Sequence, residues 1–422
     1  MKILYLILLL ISTQIFSQNI NFQSYFINKT MRVDYIHTGD SVNEILSLKQ
    51  IKQEPLWGGS HKNLIDTFKY GRYMCEIYDS ASNKLIYSRG YNTLFQEWQT
   101  YNEAKKQKRS FYETLIFPYP KKTIIININR RQKNGNYKNI FSLNINPEDY
   151  MIKKENPPAF KTFTILKNGP SDKKVDIVFL FDGYTKADKE KLHNDAKRFA
   201  NYFWTYPPFK NYKDKFNIWG IETFSEENGT DIPGENIWKK TLFNSSFYTF
   251  RSERYLTIQD TKTIRNIAAL VPYDQIYIIV NTSKYGGGGI FNFWNITAAD
   301  NPLSKWVFLH EFGHGFAGLA DEYVDTEISD DFYNKNVEPW EPNITNLVNF
   351  ESKWKNLIQK GTPKPTPDND KYNNTIGLFE GAGYVAKGVY RSYRNCEMRQ
   401  LKQGFCPICS QAIKQMIKFY SE

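Results

Sequence analysis

Apolar and polar residues alternate in short runs from about Gln18 to Asp149. "TMRVDYIHTGD" ends in a Gly-Asp turn, and "RYMCEIYDSASNKLIYSRGY" doubles back around Ser80–Asn83. "KKTIIININRRQKNGNYKNIFSLNIN" doubles back around Asn134-Gly135. A period of two, broken by turn residues at this spacing, predicts an all-β sandwich. The Pro157-Pro158 pair in "MIKKENPPAFKTF" marks a linker. Beyond it the pattern changes. "VDIVFLF", Val175 to Phe181, is a continuous apolar run of the kind buried on both faces of a sheet. Leu192, Ala196, Phe199, Ala200 and Phe203 then recur at helical spacing in a helix starting at Lys186, with Thr185 as N-cap. "FNIWGIET" and "QIYIIVN" read as further buried strands, so this half is α/β and the whole chain an α+β multidomain protein.

The first residues read differently. Lys2 precedes an apolar run from Ile3 to Ile11, and small and polar residues follow to Ser17. That is the layout of a signal peptide, too short for a comfortable membrane span, and no later segment is long and apolar enough for one. The expected organisation is a signal peptide at 1–17, a β-sandwich domain at 18–150, a linker at 151–161 and a catalytic domain at 162–422. The expected location is outside the cytoplasm, extracellular or periplasmic. A chain of 422 residues exceeds what one hydrophobic core serves, and an aromatic content of 16% argues against disorder. The net charge of +11 is scattered, with short runs only at Lys105–Arg109 and Arg130–Arg131, so it reads as solvated surface and no nucleic-acid partner is expected. Cys75, Cys396, Cys406 and Cys409 suit an exported protein with one or two disulfides.

The chemistry concentrates in "KWVFLHEFGHGFAGLADEYVD", Lys305 to Asp325. Asp300 or Asn301 can cap a helix there, with Pro302 in its first position. Trp306, Val307, Leu309 and Phe312 make that helix apolar and therefore buried. His310 and His314, four apart, project from one face, the geometry by which a single helix gives two ligands to a tetrahedral zinc ion. Glu311 sits beside them, able to act as general base on water without being a ligand. Two histidines hydrogen-bonded in a core are the plain alternative, but the chain has only five histidines and two of them fall in this motif. Metzincin sites continue through a glycine turn to a third histidine. No histidine follows His314; Gly318 can make the turn and Asp321 can replace the ligand. Both stand one position later than that spacing predicts, where Ala317 and Ala320 occur. Glu322 is the nearest rival, Asp325 and Glu338 are further carboxylates, and a capping role for Asp321 is the plain reading.

Met398 is the candidate for a methionine turn beneath the metal, or else an ordinary core residue. Cys396 paired with Cys406 or Cys409 would staple this turn, whereas a metal site at these cysteines lacks a visible fourth ligand. The glycines of "KYGGGGIFNFWNITAADNP" lack the Lys-Ser/Thr of a phosphate loop. They read either as a plain loop or as a strand edge in a cleft wall, where an extended peptide can pair.

The motifs "HEFGHGFAGLADEY", "GLFEGAGY" and "CEMRQLKQGFCPIC", with "RVDYIHTGD" and "LFQEWQT" in the first half, resemble the secreted bacterial metallopeptidases called IgA peptidases. The resemblance implies a metzincin-like zinc endopeptidase behind a β-sandwich domain, acting on protein or peptide substrates. It carries over His310, His314 and Asp321 as ligands of one catalytic Zn2+, Glu311 as general base and Met398 as the turn methionine. It also implies that Glu380 and Tyr384 lie near the cleft, and Tyr390 or Tyr393 could serve the oxyanion. A monomer is expected, and no motif supports a structural Ca2+. Two other readings compete: a secreted binding or adhesin protein with a vestigial zinc centre, against which the intact Glu311 counts, and a zinc hydrolase of a non-peptide amide.

Overall fold

The alternating runs of the first half form two antiparallel sheets. The computed structural model describes residues 20–325 and 332–422, so the segment read as a signal peptide lies outside the described residues. One sheet has the order Glu44–Glu54, Phe26–Gly39, Arg109–Pro120; the other has the order Lys84–Tyr91, Tyr73–Asp79, Ile124–Arg131, Tyr137–Ile145. Met31, Val33, Tyr35 and Phe117 from the first meet Cys75, Ile77, Ile126 and Ile128 from the second in one core, which makes the pair a sandwich. The hairpin turn at Gly135 has φ +84°, where a side chain would be strained. The segment read as linker is pinned at its start: the Lys153 amide donates to Ile51 O (3.0 Å) and its carbonyl accepts from Gln53 N (2.8 Å).

The second half carries a six-stranded sheet in the order Gly287–Ile290, Trp294–Ala298, Gln275–Val280, Val175–Asp182, Phe216–Ile221, Thr162–Leu166. The four inner strands are parallel and each edge strand is antiparallel to its neighbour. Its continuous apolar runs follow from cover on both faces. Val175, Ile177, Phe179 and Phe181 pack with the Lys189–Phe203, Ser304–Ala317 and Pro407–Ser421 helices. Val178 and Leu180 face the Thr261–Ala268 helix on the other side. Among the described residues no helix is long and apolar enough to cross a membrane.

Two predicted helix starts are refined. The Thr185–Asp188 capping box opens a short 3-10 turn, and the α-helix itself begins at Lys189. The site helix begins at Ser304 instead of Pro302, because the Asn301 side chain accepts the Leu303 amide (2.9 Å) and closes a turn around the proline first. The two halves also touch. Asn92 N donates to Phe291 O (2.9 Å), Asn292 Nδ2 donates to Gly90 O (2.8 Å), and the Tyr255 hydroxyl donates to Glu97.

Candidate functional site

The site helix is held by close backbone contact. The Gly287–Ile290 strand runs across it so tightly that a Cβ on Gly289 would lie 2.3 Å from the Glu311 carbonyl oxygen. From beneath, the Met398 sulfur sits 2.9 Å from where a Cβ on Gly313 would be, between the two histidines in sequence. Gly318 ends the helix at φ +62° in a left-handed cap, with Gly318 N bonded to His314 O (3.0 Å) and Leu319 N to Gly313 O (3.2 Å). The one-position offset follows: Ala317 stays helical, and the reversal comes at Gly318, which adopts the left-handed conformation.

That reversal brings Asp321 back to the histidines. His310 Nε2 and His314 Nε2 are 3.1 Å apart, and Asp321 Oδ1 lies 3.0 and 3.3 Å from them. His310 Nδ1 is 3.0 Å from Glu397 O, and His314 Nδ1 is 2.6 Å from Leu319 O. A carbonyl only accepts, so each Nδ1 carries a proton and each Nε2 is the nitrogen turned toward Asp321. The Tyr384 hydroxyl donates to Asp321 Oδ2, leaving buried Oδ1 with no hydrogen-bond donor beyond the histidines. Separations of 3.0–3.3 Å match the edge of a tetrahedron with metal bonds of about 2.0–2.1 Å, roughly 3.4 Å. Two imidazole nitrogens and a carboxylate oxygen, with one open direction, therefore fit a metal ion.

The electrostatics agree. Burial opposes charge on His314, but Asp321 outweighs it and pushes the imidazole up to about 9. Burial opposes ionisation of Asp321 too, yet the histidines hold it well below the usual carboxylate range. Three coupled donors that compete for protons are equally suited to share a cation. Burial pushes the Glu311 carboxyl above its ordinary value, against the pull of His310 and His314.

A backbone ladder fixes Asp321. Gly383 N donates to Asp321 O (2.9 Å), Tyr384 N to Tyr323 O (3.0 Å), and Asp325 N to Tyr384 O (2.8 Å). Buried Asn343 clamps the same turn, accepting Ala320 N (2.8 Å) and donating to Ala320 O (2.9 Å). A profile of the IgA peptidase family M64 matches residues 163–374 and 368–417, and one for its N-terminal region matches residues 21–142. The chain belongs to the IgA peptidase family M64. Comparison with curated proteins finds no match.

In this M64 peptidase the remaining candidate residues make other contacts. Glu322 is not beside the histidines: its amide donates to Met398 O (2.7 Å), and its carboxylate turns the other way, to Asn343 and Cys409. Glu338 accepts the Asn349 amide (2.8 Å) on a separate loop. Glu380 clamps its own hairpin through Lys387 (3.2 Å) and the Gly388 amide (3.1 Å). Tyr390 pairs across the hairpin with Glu380, and Tyr393 donates to Asn374 (3.3 Å). The expected disulfide is absent: Cys396, Cys406 and Cys409 are free thiols, with the Cys396 and Cys409 sulfurs 3.6 Å apart. The glycine strand does form a sheet edge, but its outer side is partly taken, since Leu256 N donates to Gly287 O (3.3 Å).

Sequence reasoning missed Arg254, Tyr285 and Tyr323 in this M64 peptidase. Arg254 Nη2 donates to the Tyr323 hydroxyl (3.1 Å), and all three are electrostatically coupled to Glu311 and Asp321. Tyr323 stands two positions after Asp321 at the end of the motif and Tyr285 beside the run of glycines, but Arg254 has no local signal.

Proposed function

We propose that this peptidase is a zinc-dependent endopeptidase in which His310, His314 and Asp321 hold the metal and Glu311 is the general base. The observation that carries the reading is the convergence of two Nε2 atoms on a carboxylate oxygen that has no other donor. An imidazole and carboxylate set of this kind suits zinc, which when bound lowers the pKa of a coordinated water to about 7 and polarises a carbonyl.

The chain's own residues do the rest. Glu397 and Leu319 carbonyls lock the imidazole tautomers, and Tyr384 aims Asp321. Glu311, raised by burial, takes the proton of the attacking water and returns it to the leaving amine. Arg254 and Tyr323 are the donors available to stabilise the negative charge that develops on the scissile carbonyl. Met398 packed under the site helix supports a metzincin-like arrangement. The substrate is an extended segment of protein, the working unit is a monomer, and the Lys2–Ser17 stretch supports export.

The test is cleavage of an unfolded protein by wild type and Glu311→Gln, with bound zinc measured for both. Loss of a general base costs about 10²–10⁴-fold in rate while zinc is retained. A Glu311→Gln variant that cleaves at the wild-type rate would remove Glu311 from the mechanism.

A further inference from the structure

The residues displaced from the expected disulfide and from the histidine site meet one another. We propose that Glu322, Cys396, Cys406 and Cys409 hold a second metal ion, a structural zinc-class cation distinct from the one at the histidines. One donor atom from each lies within 4.8 Å of all the others, and all four residues are buried, none more than 3% exposed. Cys396 Sγ is 3.6 Å from Cys409 Sγ, and Cys409 Sγ is 3.2 Å from Glu322 Oε1. Around zinc with bonds of about 2.3 Å to sulfur, ligand sulfurs stand roughly 3.8 Å apart, close to what is seen.

Three further observations favour a metal over a set of packed thiols. Glu322 Oε2 is fully buried with no hydrogen-bond partner, an arrangement disfavoured unless something binds it. The sulfurs accept backbone amides, Cys406 N to Cys396 Sγ (3.3 Å) and Cys409 N to Cys406 Sγ (3.4 Å), which stabilises thiolates. Cys406 and Cys409 also have the two-residue spacing of a zinc half-site, placed at the start of the Pro407–Ser421 helix. A disulfide would join only two of the three sulfurs and leave Glu322 Oε2 unsatisfied. Three thiolates and a carboxylate suit a soft divalent cation such as zinc and not calcium or magnesium, which take oxygen.

The ion would tie the turn after the site helix to a distant stretch of the chain, the Met398 turn and the start of the last helix. Its ligands neighbour the groups that shape the histidine site, Glu322 following Asp321 and Cys396 preceding Glu397. It would therefore hold both in register.

The test uses the full chain purified without added oxidant. Wild type is expected to carry two zinc ions per chain, and a His310→Ala, His314→Ala double variant one. With cobalt in place of zinc, that variant should show the near-ultraviolet sulfur-to-cobalt charge-transfer band. Wild type unfolded in chelator should give four reactive thiols, Cys75 and the three of the cluster. If the double variant does not fold, X-ray absorption at the zinc edge of wild type should still show a sulfur shell at about 2.3 Å. Two reactive thiols in place of four, or bound zinc with only nitrogen and oxygen neighbours, would overturn the second site. The histidine site is read by nitrogen and oxygen ligation and by cleavage, so either site can fail alone.

Discussion

Gly289→Ala tests how the site helix is held. Gly289 pairs with Asn295 in the sheet and has no positive φ, so an alanine there meets no backbone strain. Its effect is steric. The added Cβ would lie 2.3 Å from the Glu311 carbonyl oxygen, 3.0 Å from the Glu311 carbonyl carbon and 3.1 Å from His314 Cβ. Two of these are helix backbone and cannot swing aside. Relief to an ordinary contact needs strand and helix to separate by about 1 Å, and overpacking of this kind costs about 1–3 kcal/mol. A 1 Å displacement of the base and a histidine lowers turnover about 10²-fold. Gly169→Ala is the control, because the three atoms nearest its Cβ all belong to the flexible Lys174 side chain. Turnover of an unfolded protein and the midpoint of chemical denaturation are measured for both. A Gly289→Ala protein with wild-type turnover and stability would mean that the glycine strand does not set the position of Glu311.

Two further predictions follow from side-chain contacts. Tyr384→Phe keeps the ring packing and the left-handed backbone (φ +70°) but removes the hydroxyl that aims Asp321, so zinc affinity should fall about 10–100-fold in chelator competition; unchanged affinity would show that Asp321 needs no orienting partner. Buried His37 lies between Glu113 (2.8 Å) and Glu44 (3.0 Å); burial opposes its charge, but the two carboxylates win and raise its pKa above 6.5. A raised histidine stabilises the fold fully below pH 6.5, and that contribution disappears as pH rises through the folded value. The denaturation midpoint should therefore fall over that window in wild type and stay flatter in His37→Gln, and equal slopes would refute the pairing.

What the sequence disclosed follows from how local each signal is. The hairpins at Ser80–Asn83 and Asn134-Gly135 were legible because a turn residue and a period of two lie within ten residues of each other. The pair His310 and His314 was legible for the same reason, since one helix face carries both. Asp321 needed the turn at Gly318, and the late position of that glycine is itself a local signal. Glu322 stayed a rival to Asp321 because adjacent residues in an extended segment point to opposite sides, and nothing local says which carboxylate faces the histidines. Its true neighbours, Cys396, Cys406 and Cys409, are more than seventy positions away. Arg254 reaches Tyr323 from a stretch nearly seventy positions earlier, where no periodicity exists to read. The helix start at Ser304 was missed by two residues because Asn301 and Pro302 also suit the turn that precedes it.

The contacts of Asn92, Gly90 and Glu97 with Phe291, Asn292 and Tyr255 have a practical meaning. Those to Phe291 and Asn292 grip the hairpin that carries Gly289, and Tyr255 bridges to its Gly287, so the first half of the chain braces the wall of the cleft of the second. A single cut in the 154–160 stretch would then leave a nicked enzyme whose two pieces stay together and remain active. Expressing the second half alone would not reproduce it, because the glycine hairpin would lose the surface it rests on.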